Sequence, residues 1–155
     1  MKATKALGYC IIVLLVVTII LLAVSLYTLF MVLSGALSEG TLNADMEFDE
    51  ASGTFYLTMT GNPRNNGLLG VNINFQVAIL TLEGEYVAQN STKVYIAPGG
   101  QDAFSVSLTV PAEVLIEHNM LEGQGFMEIK FGVSTLGDLV SFTNTMRVGG
   151  GGAEE

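Results

Sequence analysis

The sequence predicts an N-terminal transmembrane α-helix followed by an all-β sandwich of about seven strands with one short helix. Three observations carry that reading. No charged side chain occurs from Ala6 to Ser38. Beyond that run, apolar and polar residues alternate with the period of two by which strands bury one face. No helical crossover separates consecutive strands, which favours two packed antiparallel layers over a parallel sheet.

The first element is the apolar run. Cys10 to Leu33 is nearly all Ile, Val, Leu, Ala, Phe and Met. A helix crossing ~30 Å of hydrocarbon needs about 20 such residues, so residues 7–33 are read as a transmembrane helix, with 1–6 before it and 34–41 as a linker. Its polar side chains Thr18, Ser25, Tyr27 and Thr28 are expected to bond back to their own helix or to sit near an interface. An ionisable group within the span would point to transport or a proton relay, and the run has none. A cleaved signal peptide has an apolar core of about 7 to 15 residues, so retention is favoured even though Ser34-Gly35-Ala36 offers a cleavage site. Cys10 precedes the apolar core instead of following it, which argues against a lipoprotein box. As the only cysteine it excludes an intrachain disulfide and a cysteine metal site.

Charge gives the run a direction. Lys2 and Lys5 precede it, while Glu39, Asp45, Glu47, Asp49 and Glu50 follow it, so the positive-inside rule puts the N-terminus in the cytoplasm and the domain outside. All 15 acidic residues of the 155-residue chain lie after the run, facing only Arg64, Lys93, Lys130 and Arg147 there; the net charge is −9. Such a surface repels phosphate backbones, so the lipid bilayer is expected as a partner through residues 7–33 and nucleic acid is not.

The strands follow in order. Leu42, Ala44, Met46 and Phe48 form one alternating row and Phe55, Leu57 and Met59 another, with Ser52-Gly53 as the turn of a hairpin. Val71, Ile73, Phe75, Val77 and Ile79 share one face of the clearest strand, with Asn72, Asn74 and Gln76 on the other. Glu83-Gly84 turns into a run ending at Val94-Tyr95-Ile96, and Pro98-Gly99-Gly100 turns into the alternating strand from Phe104 to Val110. Pro111 is expected to open a short helix, with Glu113 at its positive end and Val114, Leu115 and Leu121 packed on the sheet. Strands near Phe126 to Val133 and Leu139 to Val148 complete the set, and residues 149–155 are expected to form a flexible Gly-rich acidic tail.

One succession of turns is more specific. Gly61-Asn62-Pro63-Arg64-Asn65-Asn66 ends the second strand, Leu82-Glu83-Gly84-Glu85-Tyr86-Val87-Ala88 follows, and Lys93-Val94-Tyr95-Ile96-Ala97-Pro98-Gly99-Gly100 leads into the strand that closes on Pro111. This resembles the LEA14-like, or water-stress and hypersensitive-response (WHy), domain over roughly Asn43 to Val148. In that family a strand ends in an Asn-Pro-Asn turn, here Asn62 and Pro63, with Arg64 where Asn is common and Asn65 directly after it. The resemblance implies a fibronectin/immunoglobulin-like sandwich over residues 42–148. It also implies no catalytic machinery, frequent membrane anchoring in prokaryotic members, and a loose association with desiccation or stress.

Chemistry is sparse. His118 is the only histidine, which removes multi-histidine zinc sites. Glu113 and Glu117 lie at i and i+4 beside it, an arrangement more often a solvated helix face than an acid–base pair. Asp45, Glu47 and Asp49 project from one face of the first strand. They are a candidate Ca²⁺ set, although the polar half of an amphipathic strand is the commoner use of such a row. Asn90-Ser91-Thr92 is a glycosylation sequon. Asn66-Gly67 and Gly123-x-Gly125 lack the strand-loop-helix context of a phosphate loop.

No catalytic residue, cofactor or dedicated metal site is therefore expected. Three readings follow: a membrane-anchored, non-enzymatic surface module, a filament subunit, and an extracytoplasmic enzyme or accessory subunit of a membrane complex, the free enzyme being disfavoured by the missing catalytic constellations. The filament reading rests on Lys5-Ala6 before a long apolar helix, which resembles the processing site of archaeal class III prepilins, with cleavage after Ala6. The first is preferred and the second is the alternative; the protein partner is unspecified and a homo-oligomer is compatible with either.

Overall fold

The computed structural model describes residues 2–36, 42–118, 120 and 125–149. It has a long N-terminal helix, α1 (Lys2–Ala36), then β1 (Leu42–Asp49), β2 (Thr54–Gly61), β3 (Val71–Leu80), β4 (Tyr86–Ile96), β5 (Phe104–Pro111), α2 (Ala112–Glu117), β6 (Phe126–Thr135) and β7 (Val140–Gly149). The strands form two antiparallel sheets, in the orders β1-β2-β5 and β4-β3-β6-β7. This is the expected fold class: an apolar helix, seven strands in two layers and one short helix.

Several boundaries differ from the sequence reading. Helix α1 begins at Lys2 and continues through Ser34, Gly35 and Ala36, so these three residues belong to the helix and not to a linker; residues 37–41 lie outside the described residues. Pro111 ends β5 and caps α2, whose first residue is Ala112, because its extended backbone (φ −61°, ψ 144°) continues the strand pairing with Thr54. Gly149 ends β7 and is not part of a loose tail. Leu121 and the tail beyond Gly149 lie outside the described residues.

The core follows from the alternation. Val71, Ile73, Phe75, Val77 and Ile79 all point inward from β3 and are buried, as are Leu57 and Met59 from β2 and Phe104, Val106, Leu108 and Val110 from β5. Phe75 stands at the centre, with its ring 5.1 Å from Phe104 and 6.4 Å from Phe131, inside the range favourable for aromatic pairs. From α2, Val114 and Leu115 pack on this core as expected.

At one end of the sandwich a second cluster receives the helix. Ser25, Thr28, Leu29 and Val32 are buried there, at i, i+3, i+4 and i+7, a single stripe along α1. Leu29 and Val32 meet Val71, Ile73, Ile96 and Val133, while Leu26, Tyr27 and Phe30 on the opposite face stay exposed. Thr18 and Ser25 return their hydroxyls to the carbonyls of Leu14 and Leu21, as the sequence reading expects. Thr28 instead accepts the backbone N–H groups of Leu68 and Leu69, at 3.2 and 3.3 Å, and so ties the helix to the β2–β3 loop. The uncovered stretch from Leu7 to Val24 is long enough for ~27 Å at the helical rise, close to the ~30 Å hydrocarbon thickness. The helix is long and apolar enough to cross a membrane.

Candidate functional site

Two surfaces of the sandwich have the geometry of a site. The first is an apolar cleft. β4 and β5 meet along one side of the sandwich, where the Asn90 amide nitrogen donates to the Ser107 carbonyl at 2.6 Å. The edge strands β1 and β7 are left on the opposite side. There the two sheets part, opening a cavity of about 530 Å³ lined by Met46 and Phe48 of β1, Phe55 of β2, Leu115 of α2, Met127 of β6 and Val148 of β7. The inward row of β1, expected to be covered like the others, is exposed, with Phe48 at 49% and Met46 at 58%. On β7 the inward row is equally bare, with Phe142, Met146 and Val148 exposed. The cause is topological: the cover that a neighbouring strand would give is missing where β1 and β7 end their sheets.

The second surface is the polar outer face of the four-stranded sheet. Register places Lys93, Asn74, Gly132 and Thr143 in one cross-strand row, and Gln76, Lys130 and Thr145 in the next. All of these but Thr145 border a groove of about 230 Å³. Beside it Glu128 is only 2% exposed, yet it is charged and fully engaged. Lys130 Nζ lies 2.9 Å from Glu128 Oε1, Arg147 Nε donates to Oε2 at 2.8 Å, and the Tyr86 hydroxyl donates to Oε1 at 3.1 Å. Lys130 also donates to the Tyr86 hydroxyl at 3.1 Å and sits 5.6 Å above the Tyr86 ring.

The hydrogen bond from Lys130, then that from Arg147, holds the Glu128 carboxyl down at about 2, against its ordinary 4.5; the same contact raises Lys130. A carboxylate so far below neutrality is a poor general acid or base, so the cluster acts as a clamp between β4, β6 and β7. Because the folded pKa is depressed, its contribution to stability is complete above pH 4.5 and disappears as pH falls toward 2. Thermal melting of the full chain in detergent is expected to show a midpoint that drops across that window. Glu128→Gln is expected to lower the midpoint at pH 7 and to flatten its slope between pH 4.5 and 2. An unchanged slope contradicts the clamp.

The residues singled out by sequence are distributed around these surfaces and do not converge. Asp45 and Glu47 are exposed on the outer face of β1. The Asp49 carboxylate is occupied by the β1–β2 turn, accepting from Ser52 Oγ at 2.6 Å and the Ala51 N–H at 2.9 Å, and the Ser52 bond lowers its pKa. No group of three His, Cys, Asp or Glu side chains placed to hold a metal ion occurs among the described residues. Glu113 and Glu117 are exposed on α2 and His118 is half-buried at its end. Cys10 is exposed on α1. Ala6 lies within α1. Asn90 lies in the middle of β4, which runs from Tyr86 to Ile96 opposite β3.

The turn motif sits where α1 docks. Pro63 is buried, the Asn62 carbonyl accepts from Gln101 Nε2, and Arg64 bridges to Gln101. Asn65, wholly buried, is the centre of the junction. Its amide nitrogen donates to the carbonyls of Leu69 and Ile96, at 2.7 and 3.1 Å, and its side-chain oxygen accepts the Gly67 N–H at 2.9 Å. Its backbone exchanges bonds with Gly99 and Gly100. Of the three turns quoted for the family resemblance, the first and the third, at Asn65 and at Gly99-Gly100, are thus hydrogen-bonded to each other. The Glu128 cluster and the role of Thr28 were missed by sequence reasoning. The signals present were an acid two residues before Lys130 on one strand face, and hydroxyls three apart, Ser25 and Thr28, in an otherwise apolar run.

No protein-family model matches the chain, and no curated protein matches it. Among solved structures it is similar to a β-glucuronidase from glycoside hydrolase family 2, at 12% identity and a TM-score of 0.46 over 71% of this chain and 11% of that one. It is similar also to a β-glucuronidase of Bacteroides uniformis, at 10% identity and 0.47 over 70% and 13%. A protein from Archaeoglobus fulgidus is similar at 15% identity and 0.46, over 72% of this chain and 95% of that one. The chain thus spans a small fraction of the two glycosidases, and at these scores none of the likenesses carries a function.

Proposed function

We propose that the chain is a non-enzymatic, single-pass membrane protein whose LEA14-like sandwich is held outside the cytoplasm as a surface binding module. The observation that carries this reading is the buried stripe of α1: Ser25, Thr28, Leu29 and Val32 seat the helix in the sandwich and leave Leu7 to Val24 bare for the bilayer. Head and anchor are one body, so the sandwich stands at a fixed height and angle on the membrane. Lys2 and Lys5 before the span and the acidic domain after it support the outward orientation. Protease added to sealed cells is expected to remove the sandwich while sparing a tag on the N-terminus; protection of the sandwich overturns the orientation. The resemblance also brings an association with drying, for which reduced survival of desiccated deletion cells is the expected result and unchanged survival removes the association.

A filament subunit is the second reading, and one observation favours it. The head docks on the last turns of the same uninterrupted helix whose earlier turns are bare, the shape of a subunit that packs by its helix. Processing after Ala6 separates the two: a mature chain starting at Leu7 supports the filament, and one starting at Met1 or Lys2 supports the anchor.

A further inference from the structure

We propose that the β2–β3 loop is a second membrane contact of the head, with Leu68 inserted where headgroups meet acyl chains and Arg64 on a lipid phosphate; this rests on the membrane-anchored reading. The level of the loop is fixed by α1. Leu68 donates its N–H to the Thr28 hydroxyl at 3.2 Å, and the Arg64 carbonyl lies 3.6 Å from where a Cβ on Gly35 would stand. Gly35 follows Thr28 by two turns of helix, about 10 Å, so Leu68 stands nearer the span and Arg64 farther out. On the face of α1 opposite the sandwich, Leu26, Tyr27 and Phe30 are exposed at the same level. From Leu7 to Phe30 that bare face is ~35 Å long, more than the ~30 Å hydrocarbon core and less than the ~40–45 Å of a bilayer with its headgroups. A bilayer that covers it, with Tyr27 in the interfacial position tyrosine favours, therefore reaches the level of Leu68.

The side chains of the loop suit that contact. Pro63, Asn65 and Gly67 are buried and the residues between them are not, so Arg64, Asn66 and Leu68 form its exposed row. Leu68 is 65% exposed although its backbone is held by Thr28 on one side and the Asn65 amide bonds on the other. Of the four cations after the span, Lys93, Lys130 and Arg147 are each paired with a carboxylate, whereas Arg64 is exposed and in no ion pair among the described residues. A guanidinium matches the oxygens of a phosphate as it does those of a carboxylate. Going outward along α1, the order is apolar and then cationic, which is the order of acyl chain and phosphate. The β4–β5 turn beside the loop brings one acid, Asp102. Most carboxylates lie at the other end of the sandwich, with Asp49 and Glu50 in the β1–β2 turn, Glu83 and Glu85 in the β3–β4 turn, and Glu113 and Glu117 on α2. That end is the one unsuited to a phosphate surface.

The test uses the full chain with Cys10→Ser in phosphatidylcholine vesicles, carrying a nitroxide on a single cysteine introduced by Leu15→Cys, Leu68→Cys or Leu82→Cys. Depth is read from the relative accessibility of the label to oxygen and to an aqueous nickel complex. The expected result is a label at Leu15 in the hydrocarbon, at Leu68 at the boundary of headgroups and acyl chains, and at Leu82, exposed in the β3–β4 turn, in water. Arg64→Glu is expected to raise nickel accessibility at Leu68 at least threefold in vesicles and to leave it unchanged in dodecyl maltoside micelles, which hold no phosphate. A rise in micelles as well marks a disturbed loop and overturns the role of Arg64, as does no rise in vesicles. A label at Leu68 as wet as that at Leu82, with Leu15 in the hydrocarbon, overturns the loop contact and leaves the anchor standing. A label at Leu15 outside the hydrocarbon overturns the anchored reading itself. Spin–spin broadening at Leu68 that disappears on dilution with unlabelled chain assigns the loop to a second copy and overturns the proposal.

Discussion

Asn65→Ala is expected to lower the unfolding free energy by about 3 kcal/mol, the cost of leaving three buried polar groups without partners at roughly 1 kcal/mol or more each. The groups are the carbonyls of Leu69 and Ile96 and the N–H of Gly67, all of which now bond to the Asn65 side chain. Alanine keeps the backbone bonds to Gly99 and Gly100 and fills less space, so the loss is that of the amide. Asp at this position is expected to fail as well, because it replaces the donating nitrogen by an oxygen that faces two carbonyls. Chemical denaturation of the full chain in detergent measures both. A change below 1 kcal/mol for Asn65→Ala contradicts the junction described above.

Gly67→Val has the next largest expected effect, and it is local. A Cβ on Gly67 would lie 2.4 Å from Thr28 Cγ2 and 2.8 Å from Thr28 Cα, so the obstacle is the helix itself and not a side chain that can swing away. Overpacking of this kind costs about 1–3 kcal/mol, and the cheapest relief is for α1 to leave its seat. The bonds from Leu68 and Leu69 to Thr28 then break. Hydrogen exchange at these two amides is expected to accelerate strongly in the variant while amides in the centre of β3 stay protected. Uniform acceleration across the sandwich points to global destabilisation instead, and no change at Leu68 and Leu69 contradicts the docking.

How much of this was legible in the sequence depends on what each pattern can encode. Alternation along β3 located the core because that strand is central and its inward side is covered, and the same pattern in β1 identified the inward row, whereas for β7 only the span of the strand was legible. Alternation tells which side faces the other sheet but not whether that sheet reaches far enough to cover it, so the open cleft was invisible. The docking stripe of α1 was hidden for a related reason: a helix apolar on every side gives no preferred face, and only Ser25 and Thr28 broke the uniformity. The Glu128 clamp depends on register, since Arg147 is brought opposite Glu128 only by the β6–β7 pairing. Asn65 stood within the family-like turn, one place after Arg64, but its partners come from Leu69 and from Ile96 in another strand.

The Asn90 sequon shows the limit from the other side. Its residues are those of an acceptor site, yet its amide nitrogen, the atom that would carry a sugar, donates to the Ser107 carbonyl and joins the two sheets. Sequence alone reads the acceptor; the strand and its cross-sheet bond come from folding.

The anchored, single-body reading meets its most direct test in the intact mass of the chain recovered from carbonate-washed membranes. The expected result is a membrane-retained chain whose mass begins at Met1 or Lys2 and includes α1 and the sandwich together. Recovery of the sandwich in the wash, with a mass lacking α1, contradicts it.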